Sequence, residues 1–275
     1  GGSGETGGGS GGKQKIVVKP VDVDKAYDGT PLYALNEIEE TDAIKKLLEQ
    51  GYVYEVLVSG SRTERGELES VIEEFRLLDK SGRNATADFE IIYKNGKIKI
   101  TNTQIIVNLY KITKYYDGTP LSYDEDDYWV EDLPSGYKLE LKLSGSITEV
   151  GTFDIEKLYE LPVKVTDENG NDVTANYYVK FVGEGLTVMK NKITVVTNSA
   201  EKVYDGKALS SPIAWVGLGK LVDGHIIQID ETSVSEITEK GEIENELRVK
   251  IVDENGVDVT ENYEITYQNG KLTVN

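Results

Sequence analysis

The sequence predicts a mainly β chain built from three tandem copies of one small domain, and three observations carry that prediction. Tyr-Asp-Gly occurs at Tyr27-Asp28-Gly29, Tyr116-Asp117-Gly118 and Tyr204-Asp205-Gly206, at spacings of 89 and 88 residues. A fixed long period marks an array of one structural unit. Between these landmarks, apolar and polar residues alternate with period two, the pattern of strands buried on one face. Gly- and Asp-containing turns punctuate the strands at short intervals.

Each copy opens on a β-branched run: Ile16-Val17-Val18, Ile105-Ile106-Val107 and Ile193-Thr194-Val195-Val196. The Tyr-Asp-Gly turn follows. Asp bonds local backbone and Gly tolerates positive φ, so the pair suits a tight turn. Positive φ is expected at Gly118 or Gly206, with Tyr116 or Tyr204 packed on the core of its own domain. Pro31 and Pro120 stiffen the exit from the turn in the first two copies; the third has Ala208.

A variable stretch comes next. In the first copy, Thr41 to Gly51 offers an N-cap, helically spaced apolar residues and a terminal Gly, which predicts a short helix. Alternating strands then appear at Tyr54, Val56 and Val58, and at Leu139, Leu141 and Leu143. A Thr-Glu-x-Gly turn recurs at Thr63, Thr148 and Thr238. Apolar strands ending at Asp79, Asp167 and Asp253 lead into Gly turns. A Thr (Thr86, Thr174, Thr260) and, three residues on, an aromatic (Phe89, Tyr177, Tyr263) start the next strand. A Gly-containing turn and a short strand close each copy.

Five or so short strands per copy give a small β-sandwich or a β-grasp-like sheet, the helix of the first copy covering the sheet in the second case. The expected boundaries are a Gly/Ser linker over 1–12, then repeat domains over 13–102, 103–190 and 191–275. The junctions near Thr101–Gln104 and Met189–Lys192 are short and poor in Gly and Pro. A fairly stiff rod of roughly 100 Å is therefore expected. The linker reads as an artificial scar or a native spacer, the scar favoured. With Gly1 rather than Met at its start, the sequence reads as an excised segment or a mature fragment.

Composition narrows the function. The net charge is −19 and the pI about 4.5, which argues against phosphate backbones and anionic membrane surfaces as partners. Without cysteine there are no disulfides, thiolate metal sites or cysteine nucleophiles. No apolar run approaches the roughly 20 residues of a membrane span, so membrane insertion is not expected.

Candidate chemistry is sparse, and no cofactor is expected. His225, the single histidine, precedes an apolar strand and reads as a strand-edge residue; no Gly-x-Ser-x-Gly elbow lies outside the linker. The turns Asp167 to Asp172 and Asp253 to Asp258 carry oxygen ligands at near-calcium spacing. But Asp172 stands where an EF-hand loop needs Gly, and Tyr178 where it needs Glu, so turn formation is the expected role. Asp124 to Asp127 reads as a solvated loop. No carboxylate pair stands out for glycoside hydrolysis, so the chain is not expected to be an enzyme. Lys19, Lys111 and Lys192 with Asn95 and Asn269 do not match across the copies, against an isopeptide crosslink. Asn84-Ala85-Thr86 is a glycosylation sequon by pattern alone. Most of the seventeen tyrosines fall on strand or motif positions and read as core. Tyr123, Tyr128 and Trp129, and Trp215 in the third copy, lie in variable stretches and are the candidate ligand contacts, expected to be exposed.

The ordered set of Tyr-Asp-Gly-Thr-Pro-Leu (Tyr27 to Leu32, Tyr116 to Leu121), Val-Thr-Ala-Asn-Tyr (Val173 to Tyr177) and Gly-x-Leu-Thr-Val (Gly270 to Val274) resembles the MBG/YDG-type repeats of bacterial surface adhesins, over about residues 13–275. The first copy departs most, with Ala85-Thr86-Ala87-Asp88-Phe89. The resemblance implies an extracellular, wall- or envelope-attached stalk of neighbouring repeats. It supplies no catalytic residues. A binding module that contacts host glycan or protein through the variable loops is the alternative.

Overall fold

The computed structural model describes residues 11–131 and 133–275. Up to residue 10, the expected linker lies outside the described residues. The chain is mainly β. It divides into two compact units: one runs to Ile105 and adds Asp132–Glu140 and Val163–Lys180; the other comprises Ile106–Glu131, Leu141–Pro162 and Phe181–Asn275.

The first unit holds the whole first repeat. Strand Gln14–Val18 runs parallel to Phe89–Tyr93, with Gln14 opposite Phe89. Strand Val23–Ala26 runs parallel to Gly96–Thr101. The long strand Gly66–Leu78 pairs antiparallel with Gly96–Thr101 through Gly66–Ser70. Through Val71–Leu78 it pairs with Val53–Ser59. One strand thus serves two neighbours by changing partner midway.

The expected helix forms as Asp42–Glu49, and Thr41 Oγ1 accepts the Ile44 N–H at 3.3 Å. That cap satisfies one of the orphan donors of the first turn. Ile44 and Leu47 enter a core with Ile16, Val18, Ile38, Phe75 and Leu77. The unit also holds strand Val163–Thr166, the 3₁₀ turn Thr174–Asn176 and the leading residues of strand Tyr177–Val182, all from the second repeat.

The second unit contains strands Ile112–Tyr115 and Leu186–Met189, which pair in parallel, and Gly151–Thr152, antiparallel to the latter. A 3₁₀ turn over Ile155–Glu160 is capped by Asp154, whose Oδ1 accepts the Glu156 N–H at 3.1 Å. In the third repeat, Asn191–Thr197 lies between Ala214–Leu218, antiparallel, and Tyr263–Gln268, parallel, with Asn191 opposite Tyr263. Ala200–Lys202 and Gly241–Asn245 flank Gly270–Val274.

The first and third repeats share one parallel plan, in which the opening strand pairs with the penultimate strand and the next with the last. Where the third repeat has strand Ala214–Leu218, the first has its helix. Among the described residues no helix is long and apolar enough to cross a membrane.

Candidate functional site

The repeated motifs are held by local chemistry first. Asp28 Oδ1 accepts from the Thr30 N–H at 2.9 Å and the Thr30 hydroxyl at 2.7 Å. Asp117 does the same with Thr119 at 2.9 and 2.7 Å, and Asp205 accepts the Lys207 N–H at 3.0 Å. The following Gly has φ of 80°, 77° and 75° at Gly29, Gly118 and Gly206, as the turn requires. A lysine two residues before each Tyr completes the site. Lys25, Lys114 and Lys202 donate to Asp28, Asp117 and Asp205 at 2.7, 2.7 and 2.5 Å. The repeated motif is therefore Lys-x-Tyr-Asp-Gly. Its lysine recurs in the sequence at the same spacing as the rest of the motif.

Those charge-assisted bonds stabilise the ionised carboxylate. With the lysine ammonium first among the causes, Asp28 and Asp117 are held down at about 2.

The expectation that the motif tyrosine packs on the core of its own repeat holds in part: Tyr116 shares one core with residues of its own and the next repeat, and Tyr204 is exposed. Tyr116 is 4 % exposed, but its ring meets Tyr263 of the third repeat edge to face, centroids 5.8 Å apart. His225 lies 6.2 Å from the Tyr116 ring, and its Nδ1 is 2.7 Å from the Tyr263 hydroxyl. The same hydroxyl accepts the Val222 N–H at 3.1 Å. Tyr116 and Val188 belong to one continuous core with Ile193, Val195, Val249, Ile251 and Tyr263. His225 does precede strand Ile226–Ile229, and its ring is also an aromatic partner at the contact between repeats.

The first unit repeats the arrangement. Tyr27, also 4 % exposed, meets Tyr177 of the second repeat edge to face at 5.4 Å. Tyr137 takes the place of His225, 6.4 Å from Tyr177. Burial first, then the Tyr137 hydroxyl, raises the Tyr27 phenol; burial pushes Tyr177 up to about 12.

A polar latch lies beside each aromatic pair. Asn176 is buried; its Nδ2 donates to Glu64 and its Oδ1 accepts the Arg65 N–H at 2.8 Å. In the second unit, Asn262 Nδ2 donates to Glu149 Oε2 at 2.6 Å and Asn262 Oδ1 accepts the Val150 N–H at 3.2 Å. So Glu of the Thr-Glu-x-Gly turn in one repeat is read by Asn of the Thr-x-Asn-Tyr corner in the next. An amide suits this place because it donates to the carboxylate while accepting from the backbone.

The Asp167 carboxylate accepts the Asn169 and Asn171 N–H groups at 2.9 and 2.8 Å, forming the expected turn. Asp253 does likewise with Asn255 and Val257. Among the described residues, no group of three or more His, Cys, Asp or Glu is gathered for a metal ion. Lys19 bonds Glu39 and Asp22, whereas the Asn95 amide donates to Glu69.

Tyr123 is not exposed, contrary to expectation. It is 7 % exposed and packs edge to face on Phe153 at 5.5 Å. Tyr128 is half-buried, its hydroxyl donating to the Leu141 carbonyl at 3.0 Å. Trp129 and Trp215 are each 45 % exposed. Trp129 pairs with Asn108 and Trp215 with Val196, the residues after Val107 and Val195 of the two opening strands. The two indoles therefore occupy matching places in successive repeats.

Neither known protein families nor curated proteins match the chain. Among solved structures, Drosophila N-cadherin EC1-4 aligns at 11 % identity and TM-score 0.21, covering 95 % of this chain and 73 % of that one. Human CDH23 EC21-23 aligns at 11 % identity and TM-score 0.16, covering 94 % and 98 %. Likenesses at these scores carry no argument about role.

Proposed function

We propose that this chain is a spacer: a stalk segment of a bacterial cell-surface adhesin, in which three tandem sandwich-like domains hold a distal binding region away from the surface. One observation carries the reading. The residues that recur in the sequence are the residues that join one repeat to the next, Tyr27 and Glu64 to Tyr177 and Asn176, and Tyr116 and Glu149 to Tyr263 and Asn262. A repeat whose most regular features serve its neighbours is built for extension. Buried aromatic pairs, and buried asparagines bonded to the neighbour's glutamate, oppose bending between domains.

The bacterial surface location rests on the motif resemblance. Small-angle scattering tests the spacer reading. The radius of gyration is expected well above the value of about 19 Å that a single compact domain of this length would give. A value near that figure overturns the reading.

The matched, half-exposed indoles of Trp129 and Trp215 favour a second reading, a module that contacts host glycan or protein. Aromatic faces stack on apolar sugar and protein surfaces.

A further inference from the structure

The third repeat carries the same joining half as the first two, and that half is bare. Tyr204 is 44 % exposed, against 4 % for Tyr27 and Tyr116. Glu239 stands in the place of Glu64 and Glu149, and the Lys240 N–H in the place of those of Arg65 and Val150. The half is nonetheless preformed. Gly206 has φ of 75°, and Lys202 holds Asp205 at 2.5 Å. The Tyr204 N–H donates to the Asn275 carbonyl at 2.9 Å, as those of Tyr27 and Tyr116 donate to Thr101 and Met189.

We infer that the face bearing Tyr204, Glu239 and the Lys240 N–H is a docking surface for a further domain of this repeat type, one that presents a Thr-x-Asn-Tyr corner. The chemistry required occurs twice in the chain. An aromatic ring must meet Tyr204 edge to face, and an amide must donate to Glu239 while accepting from Lys240. The corners Thr174–Tyr177 and Thr260–Tyr263 meet both requirements for their own neighbours.

The first repeat is not that partner. Its corner reads Asp88-Phe89, and Asp88 would set a second carboxylate against Glu239, with no donor between them. Asp88 instead pairs with Arg83 at 2.7 Å. Phe89 is covered from within its own repeat by Tyr52, edge to face at 6.0 Å. Tyr52 follows Gly51 as Tyr137 follows Gly136 and His225 follows Gly224, each glycine at positive φ. The internal partner is thus kept and the joining chemistry removed. Head-to-tail chaining of identical copies is disfavoured by the same substitution. This goes beyond the spacer reading, and the two can fail separately: the first is judged by scattering of the chain alone.

The test joins the full chain to a second copy beginning at Lys13. Val274-Asn275-Lys13-Gln14 then reproduces the spacing of Val188-Met189-Lys190-Asn191. Amide hydrogen exchange is read at Lys240 of the first copy. With Asp88→Asn and Phe89→Tyr in the second copy, Lys240 exchange is expected to slow by on the order of tenfold, and not with the second copy unchanged. Tyr204→Ala with Glu239→Gln in the first copy should restore fast exchange. Where Asp88→Asn with Phe89→Tyr unfolds the single chain, residues 102–275 appended after Asn275 supply the unaltered Thr174–Tyr177 corner instead. Unchanged Lys240 exchange beside a folded Thr-x-Asn-Tyr corner overturns the proposal, as does equal protection beside Asp88 and Phe89.

Discussion

Asn262 holds Glu149 with its amide nitrogen at 2.6 Å and takes the Val150 N–H on its oxygen at 3.2 Å. Asn262 is itself buried, directly before Tyr263, so leaving its amide unpaired carries a desolvation cost. Two residues of one repeat and two of the next therefore form one unit of stability, and the same four positions recur at Glu64, Tyr27, Asn176 and Tyr177.

The same motif tyrosine should matter where a neighbour covers it and not where none does. Tyr116→Ala empties a buried aromatic site and should cost about 3 kcal/mol. Tyr204→Ala, at a half-exposed ring, should stay within about 0.5 kcal/mol. Urea unfolding followed by tryptophan fluorescence distinguishes the two, since Trp129 and Trp215 report on the repeats concerned. Equal losses would return the tyrosine to the core of its own repeat.

The motif glycines allow a second comparison. Gly118 and Gly206 have nearly the same φ, 77° and 75°. A Cβ at Gly118 would meet Val222 Cγ1 at 2.9 Å, whereas at Gly206 nothing lies within 4 Å. Alanine at Gly206 should carry only the left-handed strain of about 1–2 kcal/mol. Valine at Gly118 should cost more than that, because it also forces Val222 aside. Melting profiles of Gly206→Ala and Gly118→Val measure the difference; an unchanged profile for Gly118→Val would show that the turn serves something other than the fold.

Acid should loosen the turns. Asp28 and Asp117 sit at about 2 in the folded chain, held by Lys25 and Lys114; unfolded, a carboxyl of this type titrates near 3.9. A depressed folded value gives stability that is complete above the unfolded value and is lost as pH falls through about 2. The melting temperature should therefore decline from about pH 4 to about pH 2. Lys114→Met should flatten that decline by removing the partner of Asp117. Both carboxylates are largely solvated, so the effect is modest. Superimposable pH profiles for parent and variant would refute the assignment.

What the sequence made legible was local. Asp–Gly turns and the Thr41 helix cap follow from residues close in the chain and form as read, as does the strand through Tyr54, Val56 and Val58, whereas the strand read through Leu139, Leu141 and Leu143 ends at Leu141. The destination of a buried tyrosine is different in kind. Tyr116 is spaced like a core residue, and period and hydropathy say only that it is covered, not which repeat covers it. The glutamate–asparagine latch was hidden for the same reason, since Glu149 and Asn262 recur at fixed places yet meet only across two repeats. Tyr123 lies in a variable stretch yet is covered, because Phe153 packs on its ring. Lys25, Lys114 and Lys202 are legible in the sequence, because a lysine three residues before the turn aspartate recurs three times.

Trp129 and Trp215 separate the two functional readings. If the chain only spaces, its indoles are ordinary outward residues on strands Tyr128–Glu131 and Ala214–Leu218, and no glycan should bind specifically. That is the expected result of a glycan array. If it binds, the matching places of the indoles give two equivalent half-sites, and sugar faces would stack on them while nearby carboxylates accept hydroxyl protons. A specific hit should then weaken with Trp129→Ala or Trp215→Ala alone, and far more with both, because linked weak sites reinforce each other. Each indole is nearly half exposed, so these changes should leave the melting temperature close to the parent's. A hit abolished by Trp129→Ala with folding intact would overturn the spacer reading and install the binding module in its place.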